Sequence, residues 1–298
     1  LGIEICQLFK KYGDKAVLES VNMSIEQPGV YLVAGPNGSG KTTLLEIIVG
    51  LRKMDGGNVN IEDYSFDNVE LKKKVGFLTQ QNTLRKNCTV AEELNLVKQL
   101  FGLKLDTYEY LEKYNLKEFY HQKTKNLSGG TKRRVLIAML LMPKYKIAVL
   151  DEPVSGLDTF SRDEIWNTIR EYSQNNIVIV SDHYLNQAAQ YSDYMFLLNK
   201  GRIVLRGSTE EILEKFDYDY VIKTRNKNTE DVEKELEKEN ILPDLKISGS
   251  VYNYFISSKD YSRIKQIHAN KNLNLHPINL EDIYFYYTND LIKNMEDI

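Results

Sequence analysis

The sequence predicts an α/β protein: a mostly parallel sheet covered by helices, followed by a small α+β segment. Three observations carry this reading. Short apolar runs are closed by glycine or by acids, segments with helical apolar spacing separate them, and the texture changes near Gly207. Parallel strands covered on both faces read as continuous apolar runs rather than as strict alternation.

The elements follow in chain order. "GVYLVAG" (Gly29–Gly35) is β-branched and aromatic, and reads as a buried strand. "KTTLLEIIVGLRK" (Lys41–Lys53) has apolar residues at helical spacing and a glycine near its end. "KVGFLTQ" (Lys74–Gln80) is a second strand. "TVAEELNLVKQLFG" opens a helix with a capping box, Thr89 followed by Glu92. "KIAVLDEP" (Lys146–Pro153) is a third strand with acids at its carboxyl end, and "NIVIVSDH" (Asn176–His183) is a fourth. Beyond Gly207, "GSTEEILEKF" reads as a short capped helix. "YDYVIKT", "NTEDVEKELEKEN", "SVYNYFISS", "DYSRIKQIHAN" and "NLEDIYFYYTND" then give short, tyrosine-rich strand and helix patterns. The charge run around Val232 and Leu236 reads as the solvated face of an amphipathic helix. The expected division is a domain over 1–216, with a helical subdomain at about 88–142, and a small α+β domain over 217–298.

Composition narrows the function classes. The 298 residues carry 39 basic and 42 acidic side chains, a net charge of −3, so nucleic acid is not the expected main partner. Cys6 and Cys88 lack CxxC or histidine spacing, which argues against a disulfide framework or a zinc site and fits a reducing compartment. The longest apolar run, "VLIAMLLMP" (Val135–Pro143), is about half of the roughly 18 residues a membrane span needs. No secretory signal opens the chain, and the expectation is a cytoplasmic protein.

The chemistry concentrates in two places. "GPNGSGKT" (Gly35–Thr42) fits G-x-x-x-x-G-K-[ST] between a strand and a helix. Gly35, Gly38 and Gly40, with Pro36, Asn37 and Ser39, permit a backbone that turns N–H groups inward around an anion. The following helix adds its positive N-terminus, where Thr43 joins the first turn. Lys41 suits the β- and γ-phosphates and the Thr42 hydroxyl suits Mg²⁺. "IAVLDEP" then delivers Asp151 to a strand end as a second Mg²⁺ holder, with Glu152 beside it as a general base for water.

"LSGGTKRR" (Leu127–Arg134) resembles the LSGGQ signature of the ATP-binding subunits of ABC transporters. The order of motifs is similar too: phosphate loop, glutamine after a strand, signature, "LDEP", "SGLD" (Ser155–Asp158) and the histidine of "SDH". The resemblance covers about residues 1–210, and implies a P-loop ABC ATPase domain with a mixed sheet core and a helical subdomain. It implies ATP and Mg²⁺ as ligands. By resemblance, Tyr12 stacks on adenine, and Gln80 or Gln81 lies between nucleotide, Mg²⁺ and transporter, the preceding strand favouring Gln80. His183 contacts the γ-phosphate, and Asp158 helps form the subunit contact. Ser128, Gly129 and Gly130 cap the γ-phosphate held by a second ATP-binding subunit. That second subunit is another copy of this chain or a different one, and the complete motif set favours a copy. Catalysis would then fall to Glu152, His183, Lys41 and Gln80. Thr131 stands where the family often has glutamine, and Val154 where it often has threonine.

A separate transmembrane permease subunit would complete the transporter and hold this chain at the inner face of the membrane. The closing "NLEDIYFYYTND" is similar to the "LEDxF" tails of bacterial export-type ATPases, which implies export of a drug, peptide, lipid or polysaccharide. Two alternatives belong to other classes: a soluble ABC ATPase acting on ribosomes or DNA, and a nucleotide-binding regulatory or immunity protein. One phosphate loop, one signature and no heptad insertion weigh against the first. Glu152 and His183 weigh against the second.

Overall fold

In this computed structural model the structure describes residues 2–61, 64–65, 74–225, 229–260, 262–264 and 274–289. Its centre is a six-stranded sheet in the order β10-β9-β3-β8-β7-β6. These are β3 (Gly29–Ala34), β6 (Val75–Leu78), β7 (Ile147–Asp151), β8 (Ile177–Asp182), β9 (Tyr194–Asn199) and β10 (Arg202–Gly207). All neighbours run parallel except β10, which turns back antiparallel on β9. The four runs expected as buried strands are therefore strands, with ends within two residues of expectation.

Both faces of this sheet are buried, and the side chains alternate between two cores. Val30, Leu32, Ala148, Leu150, Val178 and Val180 face one core. Val33, Ile147, Val149, Ile177 and Ile179 face the other. The first core is closed mainly by helices. They include α2 (Val90–Leu100), the short α3 (Thr107–Tyr110), α4 (Gly129–Leu141) and α5 (Thr159–Ser173). The Thr89–Glu92 capping box opens α2: Glu92 N–H donates to Thr89 Oγ1 at 3.2 Å, and Thr89 N–H donates to Glu92 Oε2 at 2.7 Å. Trp166 of α5 is fully buried and stacks on Tyr191, with ring centroids 5.2 Å apart and planes 5° from parallel.

The second core lies under an antiparallel sheet in the order β2-β1-β4-β5, from β1 (Ile3–Tyr12), β2 (Lys15–Ile25), β4 (Gly56–Ile61) and β5 (Tyr64–Ser65). Helix α1 (Lys41–Ile48) fills the space with Leu44, Leu45, Ile47 and Ile48. It stops five residues short of the expected Lys53, because the chain turns at Gly50 with φ +73°. The antiparallel sheet goes beyond the sequence expectation. Its alternation is broken where β1 and β2 shift register, with Gln7 at φ +49° and Ser20 at φ +52°.

Downstream, α6 (Leu185–Ala189) and α7 (Thr209–Glu214) flank β9 and β10; α7 starts at the Ser208 capping box. A third, antiparallel sheet has the order β12-β13-β11-β14. Its strands are β11 (Tyr220–Arg225), β12 (Asp244–Ser248), β13 (Val251–Ile256) and β14 (Leu275–Pro277). Val232 and Leu236 of α8 (Thr229–Lys238) are buried against it, as expected for an amphipathic helix. The expected pattern in "DYSRIKQIHAN" lies mostly outside the described residues. The last helix among the described residues, α9 (Leu280–Thr288), returns to the first core, where Leu280, Ile283 and Tyr284 are buried.

Truncating Trp166 to alanine removes the largest side chain of the helical core. We expect a loss of about 3–5 kcal/mol, read as a lower urea midpoint at unchanged m-value. An unchanged midpoint would show that the ring does not hold the helices to the sheet.

Candidate active site at the carboxyl edge of the sheet

Four parallel strands end on the same edge, and each ends next to a polar group. β3 leads through Gly35–Gly40 into α1, β6 leads to Gln80, β7 ends at Asp151, and β8 ends at Asp182 before His183. Open α/β sheets place their ligand sites at this edge.

The phosphate-type loop is set by glycines. Gly40 caps α1 at φ +109°, a conformation that side chains avoid. A Cβ on Gly35 would lie 2.1 Å from Leu198 O, so β9 forms the floor against which the loop rests. Gly201 N–H, in the β9–β10 turn, donates to Ser39 O at 3.0 Å and fixes a second point. Lys41 is buried, and its Nζ donates to Gly35 O at 2.8 Å and Pro36 O at 3.2 Å. Burial pushes the ammonium below the ordinary lysine range, opposed by the carboxylates of Glu152, Asp151 and Asp182.

A hydrogen-bonded chain joins this loop to the acids. Thr42 Oγ1 donates to Asp151 Oδ2 at 2.8 Å. Ser181 Oγ donates to Asp151 Oδ1 at 2.5 Å and accepts from Glu152 N–H at 2.9 Å. Glu152 itself sits at φ +46°, a left-handed backbone that is uncommon for a residue with a side chain. Gln80 Nε2 donates to Glu152 Oε2 at 3.0 Å, and His183 Nδ1 lies 3.6 Å from the same oxygen. The neighbouring His183 ring holds the Glu152 carboxyl below the ordinary range, against burial. Burial raises Asp182, while the backbone N–H groups of Tyr184 and His183 bond its carboxylate and pull the other way.

So Lys41, Thr42, Gln80, Asp151, Glu152 and His183 come together. Ser128, Gly129 and Gly130 do not join the phosphate loop by any hydrogen bond among the described residues. Ser128 caps α4 by accepting Thr131 N–H at 3.1 Å, and Gly130 packs against Ser161. Asp158 caps α5 by accepting from Ser161 N–H at 2.9 Å and Ser161 Oγ at 2.8 Å. Tyr12 stands at the β1–β2 hairpin, 42% exposed, with the Arg52 guanidinium 5.2 Å from its ring centre. A ring so exposed can offer a flat face to a planar ligand.

The arrangement suits a polyphosphate. Ser39 Oγ and His183 Nδ1 are buried without a hydrogen-bond partner among the described residues, two orphans beside the loop and the base. The hydroxyl of Thr42 and the carboxylate of Asp151, with the amide of Gln80 nearby, are the hard oxygen donors that Mg²⁺ takes. Beside them, a cavity of about 430 Å³ is bordered by Gln80, Gly129, Arg133 and Glu152.

Two residues escaped the sequence reading. Ser181 is a polar residue on a strand that is apolar on both faces, which was its only signal. Arg133, on α4, is buried and donates to Thr79 O at 3.0 Å, Pro153 O at 3.0 Å, Asp151 O at 3.1 Å and Glu152 O at 3.3 Å. It holds the backbone of both the glutamine loop and the acid pair. Its signal is helical spacing, since Gly130, Arg133 and Ile137 share the buried stripe of α4.

Fold and site together define a P-loop nucleotide-binding protein. The family profile described as "ABC transporter" matches residues 18–155. The lantibiotic transport ATP-binding protein SrtF of Streptococcus pyogenes is 30% identical over 205 residues, 68% of this chain and 89% of that protein. The chain therefore belongs to the ABC transporter family, as an ATP-binding cassette. The phospholipid-transporting ATPase ABCA3 of Homo sapiens is 29% identical over 245 residues, 78% of this chain. The chain spans 14% of the length of that relative. Among solved structures, the ADP conformation of MJ1267, an ATP-binding cassette of an ABC transporter, superposes with a TM-score of 0.63 at 28% identity. That match covers 70% of this chain and 91% of the other. Among the described residues no helix is long and apolar enough to cross a membrane.

Replacing Arg133 by methionine removes the guanidinium from four carbonyls, of which Thr79 O and Glu152 O keep the backbone N–H groups of Asn82 and Ser155 at 3.4 Å. We expect a loss of about 1–3 kcal/mol in unfolding free energy, with Arg133→Lys falling between the two. Equal stability of all three proteins would show that the carbonyls do not depend on the guanidinium.

Proposed function

We propose that this chain binds and hydrolyses MgATP and so powers export through a separate membrane subunit. The observation that carries the reading is the hydrogen-bonded chain from Thr42 through Asp151 and Ser181 to Glu152, with Gln80 and His183 on the Glu152 carboxylate. A carboxylate held this close to a glycine loop of the phosphate-binding type supports reading Glu152 as the base.

In this mechanism Tyr12 stacks on the adenine, and residues Gly35–Thr43 enclose the phosphates. Lys41, which now satisfies the loop's own carbonyls, carries its charge to the β- and γ-phosphates. Mg²⁺, held by Thr42 and Asp151 with Gln80 beside them, would supply neutralisation of phosphate charge when bound. Glu152 accepts a proton from the water that attacks the γ-phosphorus, the bond to the β–γ bridging oxygen breaks, and ADP and phosphate leave. With its pKa held below the ordinary carboxylate range, Glu152 is in the ionised form that a proton acceptor needs at neutral pH. His183 and Gln80 orient the water and the base.

A second ATP-binding subunit completes the site by presenting its own Ser128–Gly130. At the start of the 13-residue α4, the N–H groups of Gly129 and Gly130 take no partner among the described residues, which supports that role. Binding closes the pair and hydrolysis releases it, which moves the permease. The chain then sits at the inner face of the membrane through that permease. The related SrtF and ABCA3 are named for lantibiotic and phospholipid transport, which supports a peptide or lipid among the proposed cargoes.

Two variants test the reading. Glu152→Gln should bind ATP normally and lose about 10²–10⁴ in kcat, accumulating a closed pair visible by gel filtration; near-normal turnover removes Glu152 from the base role. Lys41→Ala should weaken ATP binding at least about tenfold, measured by titration with a fluorescent ATP analogue. Unchanged affinity would contradict the assignment of the loop.

A further inference from the structure

Helix α9 touches the floor of the phosphate loop. Tyr284 of α9 is fully buried, and its Oη donates to Leu198 O at 3.1 Å. Leu198 O is the same carbonyl that lies 2.1 Å from where a Gly35 Cβ would stand, so it rests directly against the loop backbone. Gly35 O in turn receives Lys41 Nζ. One hydrogen bond, one close contact and one further hydrogen bond thus join α9 to the lysine expected to hold phosphate.

The same helix is fastened to the third sheet. Its Asp282, which is buried, pairs with Lys223 of β11 at 2.6 Å. Tyr286 Oη donates to Asp244 Oδ2 of β12 at 2.5 Å, and Phe285 packs with Val221 and Phe255. Leu280 and Ile283 face the opposite way, into the first core. Helix α9 therefore has one side on the third sheet and the other on the strands beneath the phosphate loop.

We propose that α9, through Tyr284, is a positioning element of the phosphate loop, so that nucleotide affinity depends on how the third sheet holds this helix. The inference rests on the ATP reading above and adds a role for residues 220–288. A displaced α9 withdraws the donor from Leu198 O and frees the floor of the loop to shift. The effect falls on binding, because Gln80 and Glu152 are anchored by other bonds, and the His183 backbone by its N–H to Asp182 Oδ1.

The test is Tyr284→Phe in the full chain, which keeps the ring and removes the hydroxyl. The Kd for MgATP should rise about three- to tenfold, while kcat at saturating ATP stays within about twofold and the KM follows Kd. Amide hydrogen exchange across residues 35–40 should quicken. Lys223→Met, one step back along the clasp, should raise Kd in the same direction by a smaller factor, and it keeps the test usable if Tyr284→Phe folds poorly. Tyr287→Phe, on the exposed side of α9, should leave Kd unchanged. Wild-type Kd in both Tyr284→Phe and Lys223→Met overturns this inference and leaves the ATP reading standing. A wild-type chain that binds no MgATP overturns both.

Discussion

The Asp151 carboxylate is the interaction on which the site depends. One of its oxygens takes the Thr42 hydroxyl from the phosphate loop, and the other takes Ser181 from the neighbouring strand. Ser181 passes the constraint on to the Glu152 backbone. Two strands, β7 and β8, and the helix after the loop are thereby registered against one another through one side chain. The sheet makes this possible: its parallel strands are buried on both faces and all deliver their polar ends to the same carboxyl edge.

The local motifs were legible because their chemistry fixes residue type and spacing. A loop that must wrap an anion needs glycines at set positions, and an acid pair after a wholly apolar strand has few structural alternatives. The four central strands and the Thr89 and Ser208 caps were legible for the same local reasons. The outer antiparallel sheet was not, since left-handed residues at Gln7 and Ser20 interrupt the alternation that marks a strand. Arg133 and Tyr284 were hidden for a different reason. Each acts on carbonyls far away in sequence, and a carbonyl has no signature in the side-chain alphabet. Ser181 was nearer to legible, yet a lone hydroxyl on a buried strand does not announce its partner.

Electrostatics at the edge are arranged around a buried cation. Lys41 lies among Asp151, Glu152 and Asp182, and burial still lowers its proton affinity. Its hydrogen bonds to Gly35 and Pro36 keep the ammonium satisfied inside the protein. A phosphate oxygen offers the same lysine a charged acceptor in place of two neutral ones, and charge-assisted bonds are the stronger. The proposed ligand thus takes Lys41 over from the loop's own carbonyls.

The helix caps at Ser128 and Asp158 carry a consequence for assembly. Both side chains already close the ends of their own helices. On the proposed arrangement they also face a neighbouring subunit, and each keeps capacity to spare there, since the Ser128 hydroxyl and the Asp158 carboxylate have lone pairs beyond those used in the caps. A cap of this kind, worth about 1 kcal/mol, then need not be given up when a partner is met: the side chains are already oriented by their own helices.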